Sequence, residues 1–182
     1  GFPVTPVSAM GERELDLMVP DDKSIPLYDG IRRVLRAMKE QGFPLWFTPG
    51  AIHLQTVPAY RKANKLDMGT ADKVCCAALA VRDQADTLGI RPAETSFILL
   101  EMGFAFTAAL AVERGRIVDG IGGSSGGPGF LTLGGMDAEL ASRLGEFPGT
   151  LLFTGGAHDM SRVPGMTPER LAAERETYAD AW

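Results

Sequence analysis

From Ser96 to Gly129 the chain compresses three short apolar segments and a glycine-dominated loop into 34 residues, and few folds accommodate that pattern. The segments are SFILLEMG (96–103), FTAALAVE (106–113) and RIVDGIG (116–122). Each is too short for a helix and is separated from the next by a turn-sized gap, so the spacing predicts an antiparallel meander of three strands. Arg114-Gly115 reads as the tight turn of the second hairpin. The loop that follows, GGSSGGPG (122–129), holds five glycines and two serines in eight residues and is expected to be flexible.

The polar residues in this stretch are the first candidates for chemistry. Glu101 stands near the end of an otherwise apolar strand, where an acid is costly to bury without a partner. Gly103 follows it and allows close backbone approach. Thr107 adds a hydroxyl at the start of the next strand, and Asp119 stands in the third strand. The backbone N–H groups of Gly122, Gly123 and Gly126, with the hydroxyls of Ser124 and Ser125, can form an anion nest. Acids beside a phosphate nest make chemical sense when Mg²⁺ bridges the two, which nominates Glu101 and Asp119 as metal holders. The expectation is therefore that Glu101, Asp119 and the 124–126 backbone converge on one cleft. The plain alternative is a hairpin with a solvated loop. No GxxxxGK[ST] run occurs, and GIGGSSG is not followed directly by a helix, so neither a P-loop nor a dinucleotide fingerprint is present.

A second grouping lies upstream, in DMGTADK (67–73). Val74, Ala78, Val81, Ala85 and Leu88 recur at helical spacing and Gly89 follows, which predicts a helix over 70–88. Asp67 and Thr70 are N-cap candidates, and Asp72 falls in the favoured acidic first turn. Lys73 runs against the dipole preference, which points to an anionic partner. Asp72 and Lys73 are accordingly expected to act in catalysis, with Asp67 and Thr70 binding substrate. The preceding 49–66 has no clear period; His53, Arg61 and Lys62 in it could line an anionic site, or form a solvated basic turn. His158, in GGAHDM, is a weaker candidate of the same kind.

Elsewhere the pattern predicts a strand at 14–19, and a helix over 26–41 introduced by Ser24 and Pro26 and stopped by Gly42. Leu27, Ile31, Val34, Leu35 and Met38 form the apolar side of that helix. PLWFT (44–48) reads as a buried strand, 136–145 as a helix, TLLFTGG (150–156) as a strand, and a last helix starts at Thr167-Pro168. The order after residue 95 is thus βββαβα.

Bulk properties narrow the partners. The chain has 182 residues, 45% apolar and 23% charged, with a net charge of −5 and a pI near 5.1. An acidic surface argues against nucleic acid, which requires a basic face. No run of 18 apolar residues is present to cross a bilayer, so no membrane partner is expected. Cys75 and Cys76 are adjacent in a helical stretch and are expected in or near the core, reduced, in a cytoplasmic protein. Two histidines and no CxxC pair argue against structural zinc. The chain opens on GFPVTP and closes within a helical pattern, as expected of a fragment.

With these residues in place a family resemblance emerges. EMGFAFTAALAVERGRIVDGIGGSSGGPG resembles the opening of the second lobe of acetate and butyrate kinases, members of the actin, sugar-kinase and heat-shock-chaperone superfamily. PGAIHLQTVPAYRKANKLDMGTADK resembles a prokaryotic family labelled predicted butyrate kinase. The resemblance implies an α/β fold of two ribonuclease-H-like, actin-like ATPase lobes. Residues 1–89 would end the first lobe in the DMGTADK helix, and 90–182 would begin the second. It implies ATP and Mg²⁺ as cofactors, a small-molecule substrate, in-line phosphoryl transfer and a homodimer. Gly103, Thr107 and the 122–126 loop would then hold phosphate, Asp119 and Glu101 would act at the metal, and His53 and Arg61 would meet substrate. Glu101 departs from the pattern, standing where those kinases carry His. Three readings follow: an ATP-dependent carboxylate (butyrate-type) kinase, a non-catalytic nucleotide switch of the same fold, or an unrelated α/β binding domain.

Overall fold

A computed structural model describes residues 4–19, 21, 23 and 25–181. It is a mixed α/β structure with two small antiparallel sheets. In chain order the elements are β1 (Thr5–Pro6), α1 (Glu12–Met18), α2 (Pro26–Glu40), β2 (Trp46–Phe47), α3 (Ala59–Lys62), α4 (Ala71–Leu88), β3 (Phe97–Met102), β4 (Thr107–Glu113), β5 (Arg116–Ile121), α5 (Ala138–Leu144), α6 (Ala157–Met160) and α7 (Pro168–Ala173). Short 3₁₀ turns punctuate the loops, among them Ala51–His53, Pro92–Glu94, Gly123–Ser125 and Gly149–Phe153.

The larger sheet is the expected meander, in the order β3-β4-β5. Arg114 and Gly115 both have positive φ, 50° and 70°, which is the backbone of a type I′ hairpin turn. Gly115 is needed twice over there, because a Cβ on it would lie 2.4 Å from the carbonyl oxygen of Pro92. Its N–H reaches the carbonyl of the buried Thr95 at 2.9 Å and locks the hairpin tip to the 92–94 turn. Between β4 and β5 the register shifts from Ala111↔Asp119 to Val112↔Ile117, so Val118 is a bulge.

Ala108, Leu110 and Val112 alternate along β4 as the buried face, and α4 lies over it. The core cluster joins Leu110, Val112 and Ile117 of the sheet to Ala77 of α4 and to Ala51, Val57 and Met68 of the preceding segment. That cluster draws residues from both sides of the 89–90 junction. Val74 and Val81 pack against it, while Ala78 and Leu88 face outward; the buried stripe of α4 is centred on Ala77 and Ala85. Gly89 ends the helix at φ 64°, as the sequence suggested.

The segment without a clear period has a structural role. It closes over β5, one of the two edge strands of the meander. Thr56 Oγ1 donates to the Ile117 carbonyl at 2.5 Å and Lys65 Nζ to the Gly120 carbonyl at 3.0 Å. The Met68 carbonyl approaches so near that a Cβ on Gly120 would lie 2.0 Å from it.

Four expectations are corrected. Residues 14–19 are not a strand: Glu12–Met18 is helical, with the Glu14 carboxylate accepting the Gly11 N–H at 2.9 Å and Leu15 and Val19, four apart, buried. The apolar stripe of α2 is not its packed side. Arg32, 5% exposed, donates to the Val19 carbonyl and to Asp16, and Arg36 grips Glu12, so charge turns inward while Leu27, Ile31 and Val34 are exposed. PLWFT contributes only Trp46–Phe47, paired with Thr5–Pro6, and Trp46 is exposed. TLLFTGG is not a strand: Leu151 and Thr154 close 3₁₀ bonds onto Pro148 and Leu151, and sheet pairing is limited to a bridge between Thr132 and Gly155. The order after residue 95 is therefore βββααα, without the fourth strand. The capping reading at 167 holds, with Thr167 accepting the Arg170 N–H of α7; at the start of α5 the Asp137 carboxylate, not singled out from sequence, accepts the Glu139 and Leu140 N–H groups. Ser24 lies outside the described residues.

Gly120→Ala should cost about 3 kcal/mol or more in urea unfolding, because the new methyl meets backbone that cannot yield cheaply. Gly30→Ala in α2, where nothing lies within 4 Å, should stabilise by about 0.5–1 kcal/mol. Similar effects at both positions would contradict this packing.

Candidate functional site

The residues nominated from sequence fall into two groups on opposite faces of the meander. Directly paired residues in an antiparallel sheet share a face, and neighbours along a strand alternate. Glu101 pairs with Ala108, and Asp119 pairs with Ala111. Positions 108 and 111 differ by an odd number, so Glu101 lies on the face covered by α4 and Asp119 on the outer one. Glu101 and Asp119 thus do not share a metal site, and their expected convergence with the 124–126 backbone on one cleft is not found. Among the described residues, no group of three His, Cys, Asp or Glu side chains is placed to hold a metal ion.

On the α4 side, the first turn of the helix meets the end of β3. Lys73 Nζ lies 2.9 Å from Glu101 Oε2 and 2.7 Å from Asp72 Oδ2. Its side chain is 16% exposed, against 27% for that of Glu101. Glu101 Oε2 is screened from solvent, and the contact to Lys73 is an ion pair without hydrogen-bond angles, so that oxygen lacks a directed donor. Burial works against the Lys73 ammonium, but the hydrogen bond to Asp72 and the ion pair with Glu101 outweigh it and hold the pKa above the ordinary lysine value. Burial likewise opposes ionisation of Asp72, and Lys73 and Thr70 reverse that and hold its pKa low. Thr70 occupies the N-cap position, yet its hydroxyl donates to Asp72 and caps nothing.

The Asp67–Gly69 turn joins this cluster to the glycine loop. Asp67 Oδ1 accepts the Gly69 N–H at 2.7 Å. Gly122 packs onto Gly69, where a Cβ would lie 3.1 Å from the amide nitrogen. Gly123, at φ 56°, packs onto Asp67, where a Cβ would lie 2.5 Å from Oδ2. Among the described residues that Oδ2 has no hydrogen-bond donor, and neither the Gly123 nor the Ser124 N–H has an acceptor. These are the first two N–H groups of a 3₁₀ turn, the ones such a turn leaves unsatisfied.

The rest of the loop is packed, which corrects the expectation of a flexible one. Ser125 Oγ donates to the Gly122 carbonyl at 2.8 Å, and Thr107 Oγ1 to the Gly127 carbonyl at 2.8 Å. A Cβ on Gly126 would lie 2.3 Å from the Thr107 carbonyl oxygen. Thr107, Ser125 and Gly126 therefore build the loop rather than face a ligand. Gly103 closes the β3–β4 turn through its N–H to the Phe106 carbonyl at 2.9 Å.

On the outer face Asp119 is held by Arg61 at 2.9 Å and by Lys65 at 3.7 Å, and accepts the Gly120 N–H at 2.8 Å. Lys65 was not singled out from sequence; it lies past the end of α3 at Lys62, beyond a positive-φ Asn64, and no periodicity links it to Arg61. His53 is exposed in the Ala51–His53 turn, and partial desolvation, with Lys62 nearby, pushes its pKa down. Cys75 and Cys76 are both exposed, which corrects their placement near the core. His158 lies past the loop, with Nδ1 2.9 Å from Asp159 Oδ1. A cavity of about 550 Å³ lies between residues 160–162 and 177–181, and one of about 330 Å³ lies on the outer sheet face beside Asp119; neither takes a residue from 122–129.

Fold and site together define a small mixed α/β protein with a glycine turn backed by an aspartate turn and a Lys–carboxylate cluster. The chain belongs to the family described as "Protein of unknown function (DUF1464)", matched over residues 1–180. No curated protein matches its sequence. Among solved structures, the acetate kinase of Porphyromonas gingivalis is similar, at 13% identity and a TM-score of 0.49, over 98% of this chain. The match takes in 49% of that enzyme, so the chain spans about half its length. No helix among the described residues is long and apolar enough to cross a membrane.

A double-mutant cycle on Lys73→Met and Glu101→Gln should return a coupling of about 1–2 kcal/mol, between the values for exposed and buried pairs. The Lys73 contribution should be whole below its ordinary pKa of 10.5 and vanish as pH climbs through the raised folded-state value. The Asp72 contribution should be whole above 3.8 and vanish as pH falls through the lowered one. Urea titrations across pH for wild type and Lys73→Met test both; a stability difference that ignores alkaline pH would contradict the pairing.

Proposed function

We propose that this chain carries the phosphate-binding part of an ATP-dependent small-molecule kinase, with a carboxylate of the butyrate type as the acceptor class. The observation behind this reading is the junction of the Asp67–Gly69 turn with Gly122–Ser124. Two N–H groups without acceptors, the Ser124 hydroxyl and the Lys73 ammonium are the donors available to a phosphate near that junction. The sequence resemblance of both stretches to acid kinases supplies the reaction class, along with the ribonuclease-H-like lobes and their 89–90 boundary.

The metal expectation changes form. Glu101 and Asp119 do not fit a shared Mg²⁺ site, since they lie on opposite faces and are already paired with Lys73 and with Arg61. Asp67 fits better: its Oδ2 lies beside the glycine turn with no donor, and one carboxylate plus substrate phosphates is the usual environment of Mg²⁺. Bound there with the nucleotide, Mg²⁺ would supply charge neutralisation. In this reading Ser124 and the 123–124 backbone orient phosphate, Lys73 contributes positive charge, and Asp72 and Glu101 hold Lys73 in place. His53 and Thr70 remain candidates for the acceptor side, whereas Arg61 is held to Asp119 on the outer face.

One observation favours a second reading, a nucleotide-binding switch without turnover. Lys73 and Asp119 are both neutralised by partners, and among the described residues no multi-carboxylate metal group is available for catalysis.

ATP with Mg²⁺ at about ten times its dissociation constant should raise the melting temperature by about 3–6 °C. No rise at millimolar nucleotide would overturn both readings. Phosphoryl transfer to butyrate or acetate separates kinase from switch. Asp119→Asn should lower stability by about 1 kcal/mol through loss of the Arg61 pair while leaving the nucleotide-induced shift unchanged; a vanished shift would return Asp119 to the site.

A further inference from the structure

We propose that Cys75 and Cys76 are a peroxide-sensitive vicinal dithiol whose oxidation to a disulfide opens the first turns of α4. The inference stands on helix geometry and does not depend on nucleotide binding. Both thiols are free and exposed on α4, whose packed side runs through Val74, Ala77, Val81 and Ala85. Cysteine is among the residues most often buried, so two adjacent ones facing water on a well-packed helix require an explanation. A thiophilic metal is a poor one, because structural zinc takes four ligands and no third ligand is grouped with these two among the described residues.

Redox chemistry needs only the two thiols and an oxidant of the peroxide class. One thiolate attacks the peroxide O–O bond, becomes a sulfenic acid and releases hydroxide, which leaves as water. The neighbouring thiolate then attacks the sulfenic sulfur, forms the S–S bond and displaces a second hydroxide, which also leaves as water. The two thiols lose two electrons and two protons, and the peroxide is reduced to two waters.

Within α4 this product cannot be accommodated. Successive side chains project about 100° apart around an α-helix, so the two Cβ vectors diverge, whereas a disulfide needs its Cβ atoms about 3.5–4.5 Å apart. The backbone at 75–76 must therefore leave helical geometry for the bond to close. The helix is weakest on its N-terminal side of this point. Thr70 spends its hydroxyl on Asp72 and leaves the N-terminus without a side-chain cap, a loss of about 1 kcal/mol. The first turn is held to the sheet by the Lys73–Glu101 ion pair, and the turn before it by the bond from Ala51 N–H to the Gly69 carbonyl at 2.8 Å. Opening at Cys75 therefore frees Lys73 from Glu101 and loosens the turn that backs Gly122 and Gly123.

The test treats the protein with hydrogen peroxide, maps the 75–76 peptide by mass with and without reductant, and follows amide exchange over residues 67–77. Expected are a reductant-reversible loss of two hydrogens within one chain and exchange at 71–76 faster by about tenfold or more. Cys75→Ser and Cys76→Ser, both at exposed positions, should keep the reduced exchange pattern and gain neither change. Disulfides formed only between chains, sulfinic acid without an intramolecular bond, or an intramolecular bond with unchanged exchange would each overturn the proposal.

Discussion

The contact between the Met68 carbonyl and Gly120 is the constraint around which the rest of the structure is arranged. The β5 backbone can approach the 67–69 turn that closely only because Gly120 lacks a side chain. The same approach brings Gly122 onto Gly69 and Gly123 onto Asp67, so three glycines in one strand end serve one docking surface. That surface fixes where α4 starts, because Thr70 follows the turn directly. Where α4 starts then decides that Lys73 meets Glu101, and that Ala77, with Val74 and Val81, packs with Leu110 and Val112.

Charge is distributed by the two faces of the meander. The α4 face holds a cation between two carboxylates, and the outer face holds a carboxylate between two cations. In a hairpin reading, Glu101 and Asp119 look like partners because both stand near the glycine-rich end. Strand parity separates them, and one residue of register would have reversed the outcome. Register here is set by the type I′ turn at Arg114-Gly115 and by the bulge at Val118, neither of which shows in apolar patterning.

Much of the fold was legible because its signals are local. The meander, α4 with its Gly89 stop, the helix within 136–145 and the capped start at Thr167 all follow from spacing and caps. What escaped depended on tertiary choice. Periodicity identified the apolar side of α2, but Arg32 and Arg36 found Asp16 and Glu12 on α1, and those pairs turned the helix over. Residues 149–153 have strand composition, yet they close short 3₁₀ bonds instead of pairing with the sheet. In the candidate site, 67–73 stood out by its unusual Gly and Lys, and the structure sets its Asp67–Gly69 turn against the glycine loop. The loop glycines were readable as a group, but not that most of them serve packing. Among the described residues, the Gly123 and Ser124 N–H groups at the junction with Asp67 have no protein acceptor.

Formal charge constrains what can bind at that junction. Lys73 contributes one positive charge, and Asp67, Asp72 and Glu101 contribute three negative ones, leaving a surplus of two carboxylates. A bare phosphate would approach against that surplus, and two N–H groups with a hydroxyl are modest compensation. An anion carrying its own divalent cation meets the opposite situation, because Asp67 can then face positive charge directly. Under the proposed function, this charge balance favours a metal–phosphate complex over a free anion. The proposed nucleotide reading rests on this charge condition more than on the glycine count.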